Sequence, residues 1–457
     1  MGLAVIGGAR RACALGCVLV LVGCGKWQRV GSETGPDPMV VVPQLFDPTA
    51  TYTAMGFLAA GAPLAFVGSL WPLATASPDT TLAVFALSMN NNALSFRRAG
   101  QGFEARYRVE LLLRREGSIV ARVASQESVR VGSADETRRA DESVLFQQLL
   151  RVPPGSYVAV VTVRDDFGTG VGRAEQTVTL PRVDARGCSA LTPVYEVEPR
   201  RQRTDAPRLL VNPRATVPYG LDSLRLYLES YDVPTGTPVT IVASGPTGDE
   251  VWTAQATLDG TQDLATALVT IPPQQLPVGQ LRLTATVPGC PASIATAVLV
   301  SFSNQWAITN FDEILSLLRY FGQDRAIAKM RQADPAERPT LWRDFWRATD
   351  PNPLTPENEA LEQYFRRVQE ANMRFREAGE PGWLSDRGEV FITLGEPDEI
   401  FDQSSALQGP RQIIRWNYLG LRLQLDFTDD TGFGRFRLIP AARAEYQRVL
   451  NNLRSRG

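Results

Sequence analysis

The pattern that most restricts the fold of this chain is a nearly strict alternation of apolar and charged residues between positions 103 and 114. Phe103, Tyr107 and Leu113 fall on one side of the pattern, whereas Glu104 and Arg114 fall on the other. A period of two residues is that of a β-strand with one buried and one solvated face. Short apolar runs of the same kind, separated by turns rich in Pro and Gly, continue to about residue 303. They predict two immunoglobulin-like β-sandwich units, over residues 51–184 and 185–303.

One uncharged stretch, Gly56 to Leu73, is long enough to be mistaken for a membrane-spanning helix. It is interrupted by five helix-breaking residues, which are Gly56, Gly61, Pro63, Gly68 and Pro72. Glycine and proline at this density favour short strands and turns over a spanning helix.

The apolar spacing changes to three and four residues after about position 304, as in the run Phe311, Ile314, Leu315 and Leu318. This spacing is typical of an amphipathic helix. Further helix starts are predicted at Asp334-Pro335 and Thr355-Pro356, because a capping side chain precedes a proline in the first turn. The three aromatic residues Trp342, Phe345 and Trp346 fit either a helix-packing core or a binding groove.

The period returns to two near the C-terminus, where strands are expected over residues 389–394, 412–418, 421–427 and 433–438. An amphipathic helix over residues 441–453 closes the chain. We therefore expect a mainly β multidomain chain whose residues 304–457 form an α+β domain, with a helical segment followed by a small antiparallel sheet.

A short stretch from Pro381 to Glu399 combines a tryptophan, an Asp-Arg pair and two turns. One interpretation makes it a ligand or partner site, with six candidate binding residues: Trp383, Ser385, Asp386, Arg387, Asp398 and Glu399. The alternative is architectural: Trp383 fills a core, Asp386 caps a turn and Arg387 pairs with a carboxylate.

The segment Gly382-Trp383-Leu384-Ser385-Asp386-Arg387-Gly388, followed by Gly395-Glu396-Pro397-Asp398-Glu399, resembles the GWxTD domain of bacterial envelope proteins. Ser385 stands where that pattern has Thr, so the hydroxyl is kept. The resemblance extends over residues 330–440, with matching pieces at 342–346, 350–353, 372–375 and 430–434. It implies a location in the cell envelope and no established activity.

The N-terminus has the features of a secretory signal. Arg10 and Arg11 precede an uncharged, mostly apolar run that ends in Leu21-Val22-Gly23-Cys24. This ending resembles a bacterial lipobox, which implies cleavage of residues 1–23, a lipid on Cys24 and a tether over residues 24–50. An uncleaved anchor is the alternative. Because Gly25 stands where an inner-membrane retention signal often has Asp, the resemblance favours an outer-membrane lipoprotein facing the periplasm or the cell surface.

Two cysteines, Cys188 and Cys290, remain once Cys13 and Cys17 leave with the signal and Cys24 carries lipid. In an oxidising compartment they are expected to pair and to bracket the second β unit. Two buried free thiols are the alternative.

The sequence lacks the residues on which many enzymes depend. It has no histidine and only two lysines, Lys26 and Lys329, which excludes His-based triads and a phosphate loop ending in lysine. A formal net charge of −2 argues against nucleic-acid binding. No cofactor is expected, and no metal site. Calcium binding by Asp426, Asp429 and Asp430 is the less favoured interpretation of a hairpin tip, because the spacing differs from that of a Ca²⁺ loop.

We therefore expect a non-enzymatic scaffold that is attached to the membrane through Cys24. Its C-terminal domain would bind a protein or glycan partner. The alternative is a carboxylate-based hydrolase of envelope glycan that uses two acids among Asp386, Asp398, Glu399 and Asp426.

Overall fold

The computed structural model describes residues 28–30, 48–139, 144–183, 186–290, 294–303, 308, 310–355, 357–377, 381–402 and 412–455. The predicted signal, the lipidation site Cys24 and most of the tether lie outside these ranges. The chain forms two compact units, residues 37–373 and residues 374–457 together with 1–36. No helix among the described residues is long and apolar enough to span a membrane.

The first β region of the larger unit consists of two antiparallel sheets. Strand β1 (Gln28–Val30) belongs to the smaller unit. The first β region begins with a short helix, α1 (Thr49–Ala54). Its strands are β2 (Leu58–Ala60), β3 (Phe66–Ala74), β4 (Thr81–Met89), β5 (Arg97–Ala99), β6 (Gly102–Arg115), β7 (Ser118–Val131), β8 (Val144–Val152), β9 (Gly155–Asp165) and β10 (Val171–Leu180). One sheet has the order β2-β3-β4-β8, and the other has the order β10-β9-β6-β5 with β7 paired to β6. One hydrophobic cluster contains residues of both, such as Phe85 and Val161, so the sheets pack face to face.

The predicted strand at residues 103–113 is confirmed as β6, whose odd-numbered side chains from Ala105 to Leu113 point into this core. The uncharged stretch at 56–73 contains β2 and most of β3, as its helix breakers predicted.

The second β region also contains two sheets. Its strands are β11 (Gly187–Cys188), β12 (Thr192–Glu198), β13 (Arg208–Val211), β14 (Thr216–Pro218), β15 (Leu224–Tyr231), β16 (Pro238–Ser244), β17 (Glu250–Thr257), β18 (Asp259–Gly260), β19 (Ala265–Ile271), β20 (Gly279–Thr286) and β21 (Ile294–Ser301). The orders are β13-β12-β15-β19-β18, with β11 beside β15, and β14-β21-β20-β16-β17. The β14–β21 pair is parallel. A disulfide joins Cys188 to Cys290, with 5.8 Å between their Cα atoms.

Four helices follow among the described residues: α2 (Phe311–Leu317), α3 (Asp324–Gln332), α4 (Arg338–Thr349) and α5 (Glu359–Arg374). Helix α4 begins later than predicted, because residues 335–337 form a turn instead of its first turn. Helix α5 also begins later, where the Asn358 side chain accepts a hydrogen bond from the Leu361 amide. Trp342 and Phe345 are buried, and the Trp342 ring packs 4.7 Å from that of Phe302, so these two residues belong to a core.

The smaller unit contains α6 (Asp386–Leu394), β22 (Glu399–Asp402), β23 (Gln412–Tyr418), β24 (Leu423–Asp429), β25 (Arg437–Leu438) and α7 (Pro440–Arg454). Its antiparallel sheet has the order β1-β22-β23-β24-β25. The aromatic side chains Phe375, Phe391, Trp416 and Phe427 form its core, with neighbouring ring centroids 4.9–5.5 Å apart.

The prediction of a strand at residues 389–394 is wrong, since this segment is helix α6. Three consecutive side chains, Val390, Phe391 and Ile392, are buried, which an alternating strand with one solvated face would not allow. The expected strand at 433–438 shortens to Arg437–Leu438, because a compact loop occupies the residues before it.

Candidate functional site

Ser385 builds the start of α6. Its hydroxyl accepts a hydrogen bond from the Gly388 amide at 3.0 Å and donates one to the Gly382 carbonyl at 2.8 Å. An N-cap residue satisfies amides that the first helical turn leaves without partners. Ser385 is fully buried, so its hydroxyl serves the fold and is closed to a ligand.

Asp386 joins α6 to the last strand and the last helix. Its carboxylate accepts a hydrogen bond from the Leu438 amide at 2.7 Å and lies 2.6 Å from the Arg443 guanidinium. Arg437 lies 4.0 Å away. Asp386 is therefore an ion-pair partner, and the capping role that the sequence suggested for it belongs to Ser385.

Arg387 lies in an aromatic and acidic environment. Its guanidinium is 4.3 Å from the centre of the Phe436 ring and 3.8 Å from the buried carboxylate of Glu377. Glu377 also accepts a hydrogen bond from the Phe436 amide at 3.1 Å. Arg387 thus pairs with a carboxylate, as the architectural alternative predicted, and also packs on an aromatic face.

The remaining three candidates lie in different surroundings. Trp383 is half-buried, so it does not fill a core as that alternative supposed. Asp398 and Glu399 contact the end of β23 and the turn after it. The Asp398 carboxylate accepts a hydrogen bond from the Leu419 amide, and that of Glu399 accepts one from the Asn417 side chain.

A loop between β24 and β25, residues 430–436, is held at its start by Asp429. This fully buried carboxylate accepts hydrogen bonds from the Thr431 hydroxyl and from the amides of Thr431, Gly432 and Gly434, at 2.6–3.0 Å. Burial alone would raise the pKa of Asp429, but these hydrogen bonds outweigh it and hold the pKa below its ordinary value. At the tip of the loop, Phe433 is 82% exposed.

The other acids considered for catalysis or calcium binding are also engaged. Asp426 forms two hydrogen bonds with Arg415, at 2.6 and 2.8 Å. The described residues contain no group of three acidic, histidine or cysteine side chains that could hold a metal ion. Desolvation raises the pKa of Glu389; Asp386 acts in the same direction, and Arg443 opposes it.

Sequence reasoning missed Glu377, Asp429 as a loop organiser, and Arg443. For Asp429 a local signal existed, because Asp followed by Asp-Thr-Gly is typical of a turn closed by a side-chain carboxylate. Arg443 had no such signal, since its partner Asp386 is far away in the sequence.

Comparisons with solved structures give only weak likenesses. A trypsin-activated alpha-2-macroglobulin from Escherichia coli shares 14% identity at a TM-score of 0.19, over 55% of this chain and 17% of that one. A biofilm associated protein, in its BSP domain, shares 10% identity at a TM-score of 0.16, over 53% and 52%. A β-glucuronidase from Bifidobacterium dentium shares 9% identity at a TM-score of 0.17, over 56% and 55%. The chain spans less than two thirds of each, and such scores indicate no shared function.

No curated protein matches the chain. The model of one protein family does match, over residues 292–420, and this range includes the Gly-Trp segment, α6 and the first two strands that follow it. The chain therefore contains a GWxTD domain, at residues 292–420.

Proposed function

We propose that this protein is a lipid-anchored envelope scaffold that binds a partner through the loop between β24 and β25 and catalyses no reaction. In this proposal Cys24 carries the lipid, and the two β regions, of immunoglobulin-like kind, act as spacers. The partner is a protein with an apolar pocket, or a glycan that stacks on an aromatic ring.

The observation that carries the proposal is the exposed Phe433 on a loop with a fixed backbone. Aromatic side chains that fill a partner's pocket contribute a large share of binding energy in protein interfaces. A loop that is already ordered loses less entropy on binding than a mobile one. The four hydrogen bonds to Asp429 provide that order for Phe433.

The Gly-Trp segment supports the same loop from its other end. Asp386 holds the Leu438 amide, while Arg387 packs on the Phe436 ring. We therefore assign Asp386 and Arg387 a positioning role, in which they fix the backbone that presents Phe433. In this view the motif acts on the partner indirectly.

The hydrolase alternative is less well supported. A glycan-cleaving pair needs two carboxyl groups about 5 to 9 Å apart, one of them with a raised pKa. Asp386 and Asp426 are each paired with an arginine, at 2.6 Å, so their carboxylate oxygens are already engaged within the protein. Asp398 accepts a backbone hydrogen bond in a turn, an arrangement that is common in structural loops.

A photo-crosslinking amino acid placed at position 433 in the full chain tests the proposal in intact envelopes. We expect one defined adduct, which mass spectrometry would identify and which would bind the native chain after purification. Phe433→Ser should weaken that binding about tenfold or more, as expected for loss of an aromatic anchor.

Leu419 is the matched control, because it is also an exposed apolar residue on a hairpin turn of this sheet, at 62% exposure. A crosslinker at 419 should give no such adduct, and Leu419→Ser should bind normally. Equal adducts at both positions, or an adduct whose purified partner binds Phe433→Ser as well as the native chain, would overturn the proposal.

A further inference from the structure

The outer face of the β10-β9-β6-β7 sheet brings together two arginines of like charge. Arg108 on β6 lies directly opposite Arg164 on β9 in the antiparallel register. Both side chains are exposed, on the face away from the hydrophobic core. Like charges directly opposite one another destabilise a strand pair. The register therefore places two guanidinium groups side by side on a solvated face of the sheet.

The neighbouring carboxylates do not neutralise both arginines. Asp166 lies 2.7 Å from Arg108, and its other oxygen accepts a hydrogen bond from the Gln126 side chain. Glu110 pairs with Arg122 at 2.7 Å. Among the described residues, the side chain of Arg164 forms no hydrogen bond or ion pair. One guanidinium therefore remains free beside two that are paired.

These side chains surround a depression of about 380 Å³. Its charged lining consists of Arg108, Arg122, Arg164 and Glu110, three positive groups and one negative. Its neutral polar lining includes the hydroxyl of Thr162 and the amide of Gln126. The lining is thus rich in hydrogen-bond donors and carries an excess of positive charge.

We propose that this depression binds an acidic glycan, with a uronic-acid carboxylate held between Arg164 and Arg108. The planar guanidinium fork matches a carboxylate with two parallel hydrogen bonds. The Thr162 hydroxyl and the Gln126 amide suit sugar hydroxyls, because both groups can donate and accept hydrogen bonds. This site gives the first β region a binding role beyond that of a spacer.

Binding of polygalacturonate to the full chain tests the inference, with neutral dextran and poly-glutamate as comparison polymers at physiological ionic strength. We expect the native chain to bind polygalacturonate and to bind neither comparison polymer comparably. Arg164→Gln should weaken binding about tenfold, the scale expected for one charge-assisted contact. Its thermal midpoint should stay equal or rise, because the like-charge contact is removed.

Arg282→Gln is the matched control, since Arg282 is an exposed arginine on β20 without an ion pair among the described residues. It should bind polygalacturonate as the native chain does. Absent binding by the native chain, or equal losses in both variants, would overturn the inference. Equally tight binding of poly-glutamate would also overturn it, because the face would then be a general polyanion surface. The site and Phe433 lie in separate compact units, so either proposal can fail alone.

Discussion

Arg200 and Glu229 form an ion pair that is almost completely removed from solvent, with side chains exposed by 1% and 0%. The guanidinium makes two hydrogen bonds to the carboxylate, at 2.8 and 2.6 Å. The hydroxyls of Tyr227 and Tyr231 donate to the same carboxylate. Arg200 also reaches the carbonyl of Ala74, so the network connects the second β region to the first. Its members are spread over more than 150 residues, and no local pattern in the sequence indicates it.

Replacing Glu229 by Ala should lower the free energy of unfolding by about 3–5 kcal/mol, because a buried guanidinium would lose its counter-charge. Urea denaturation of the full chain measures the loss. Glu198→Ala is the control: its pair with Arg208 is exposed by 70% and 77%, so the loss should stay below about 1 kcal/mol. Similar small losses in both variants would show that the buried network does not stabilise the fold.

The candidate site was predictable only in part, because its ion-pair partners also lie far apart in the sequence. Asp386 and Arg387 stand out in the sequence as a charged pair beside a tryptophan, and both do form ion pairs. Their partners Arg443 and Glu377 come from other elements. Only the tertiary structure, which brings α7 and the chain before the Gly-Trp segment against α6, identifies them.

Helix α6 shows where pattern reasoning failed at the level of an element. Val390, Ile392 and Leu394 alternate over too few residues to separate a strand from a buried helix. The usual helix-start signal is also incomplete, because Gly388 occupies the position where a capping box has Glu or Gln. Longer or better bounded elements were predictable: β23 has the predicted limits, and α7 differs from its prediction by one residue at each end.

Gly388 occupies that position because a side chain there would collide with the backbone of Gly382. A Cβ atom there would lie 2.0 Å from the carbonyl oxygen of Gly382. Gly388→Ala should therefore destabilise the smaller unit by at least about 3 kcal/mol, the upper range for overpacking. Urea denaturation followed by hydrogen exchange of peptides from α6 and β23 measures the loss, because the eight tryptophans of the chain make total fluorescence unspecific for this unit.

Gly420→Ala provides the comparison within the same unit, because a Cβ atom there meets no atom within 4 Å. That variant should keep the native stability or gain up to about 1 kcal/mol from a less flexible unfolded chain. If Gly388→Ala unfolds at the same urea concentration as Gly420→Ala, the close approach of α6 to Gly382 does not limit the fold.

At the scale of the molecule, the sequence predicted that residues 51–303 are rich in β-strands and that residues 304–457 combine helices with strands. It could not predict how the strands are arranged in sheets. Alternation shows that a strand has a buried face, yet it does not identify the neighbouring strand. The parallel β14–β21 pair joins segments about 80 residues apart, and β7 lies beside β6 outside the main strand order. The disulfide is also a long-range contact, but the sequence did suggest it, because two cysteines remained for an oxidising compartment once the signal and the lipid had taken the other three.

The Cys188–Cys290 disulfide closes a separation of 102 residues in the second β region. The double variant Cys188→Ser, Cys290→Ser should be less stable by about 2–5 kcal/mol, since the cross-link restricts the unfolded chain. Adding a reductant to the native chain should reproduce this loss and should leave the double variant unchanged. A reductant that destabilises both proteins equally would mean that its effect does not come from this bond.

Attachment to the envelope depends on Cys24 in the proposed function, and the two β regions matter as spacers only if that attachment exists. A single acyl chain holds a protein weakly at a membrane, so stable anchoring needs more than one chain. Cys24→Ala should abolish the incorporation of a labelled fatty acid that the native chain shows. Cys17→Ala, a change inside the predicted signal, should keep both label and membrane location. Continued labelling of Cys24→Ala would place the lipid elsewhere, and a native chain that stays in the membrane fraction without any label would favour the uncleaved anchor over the lipoprotein.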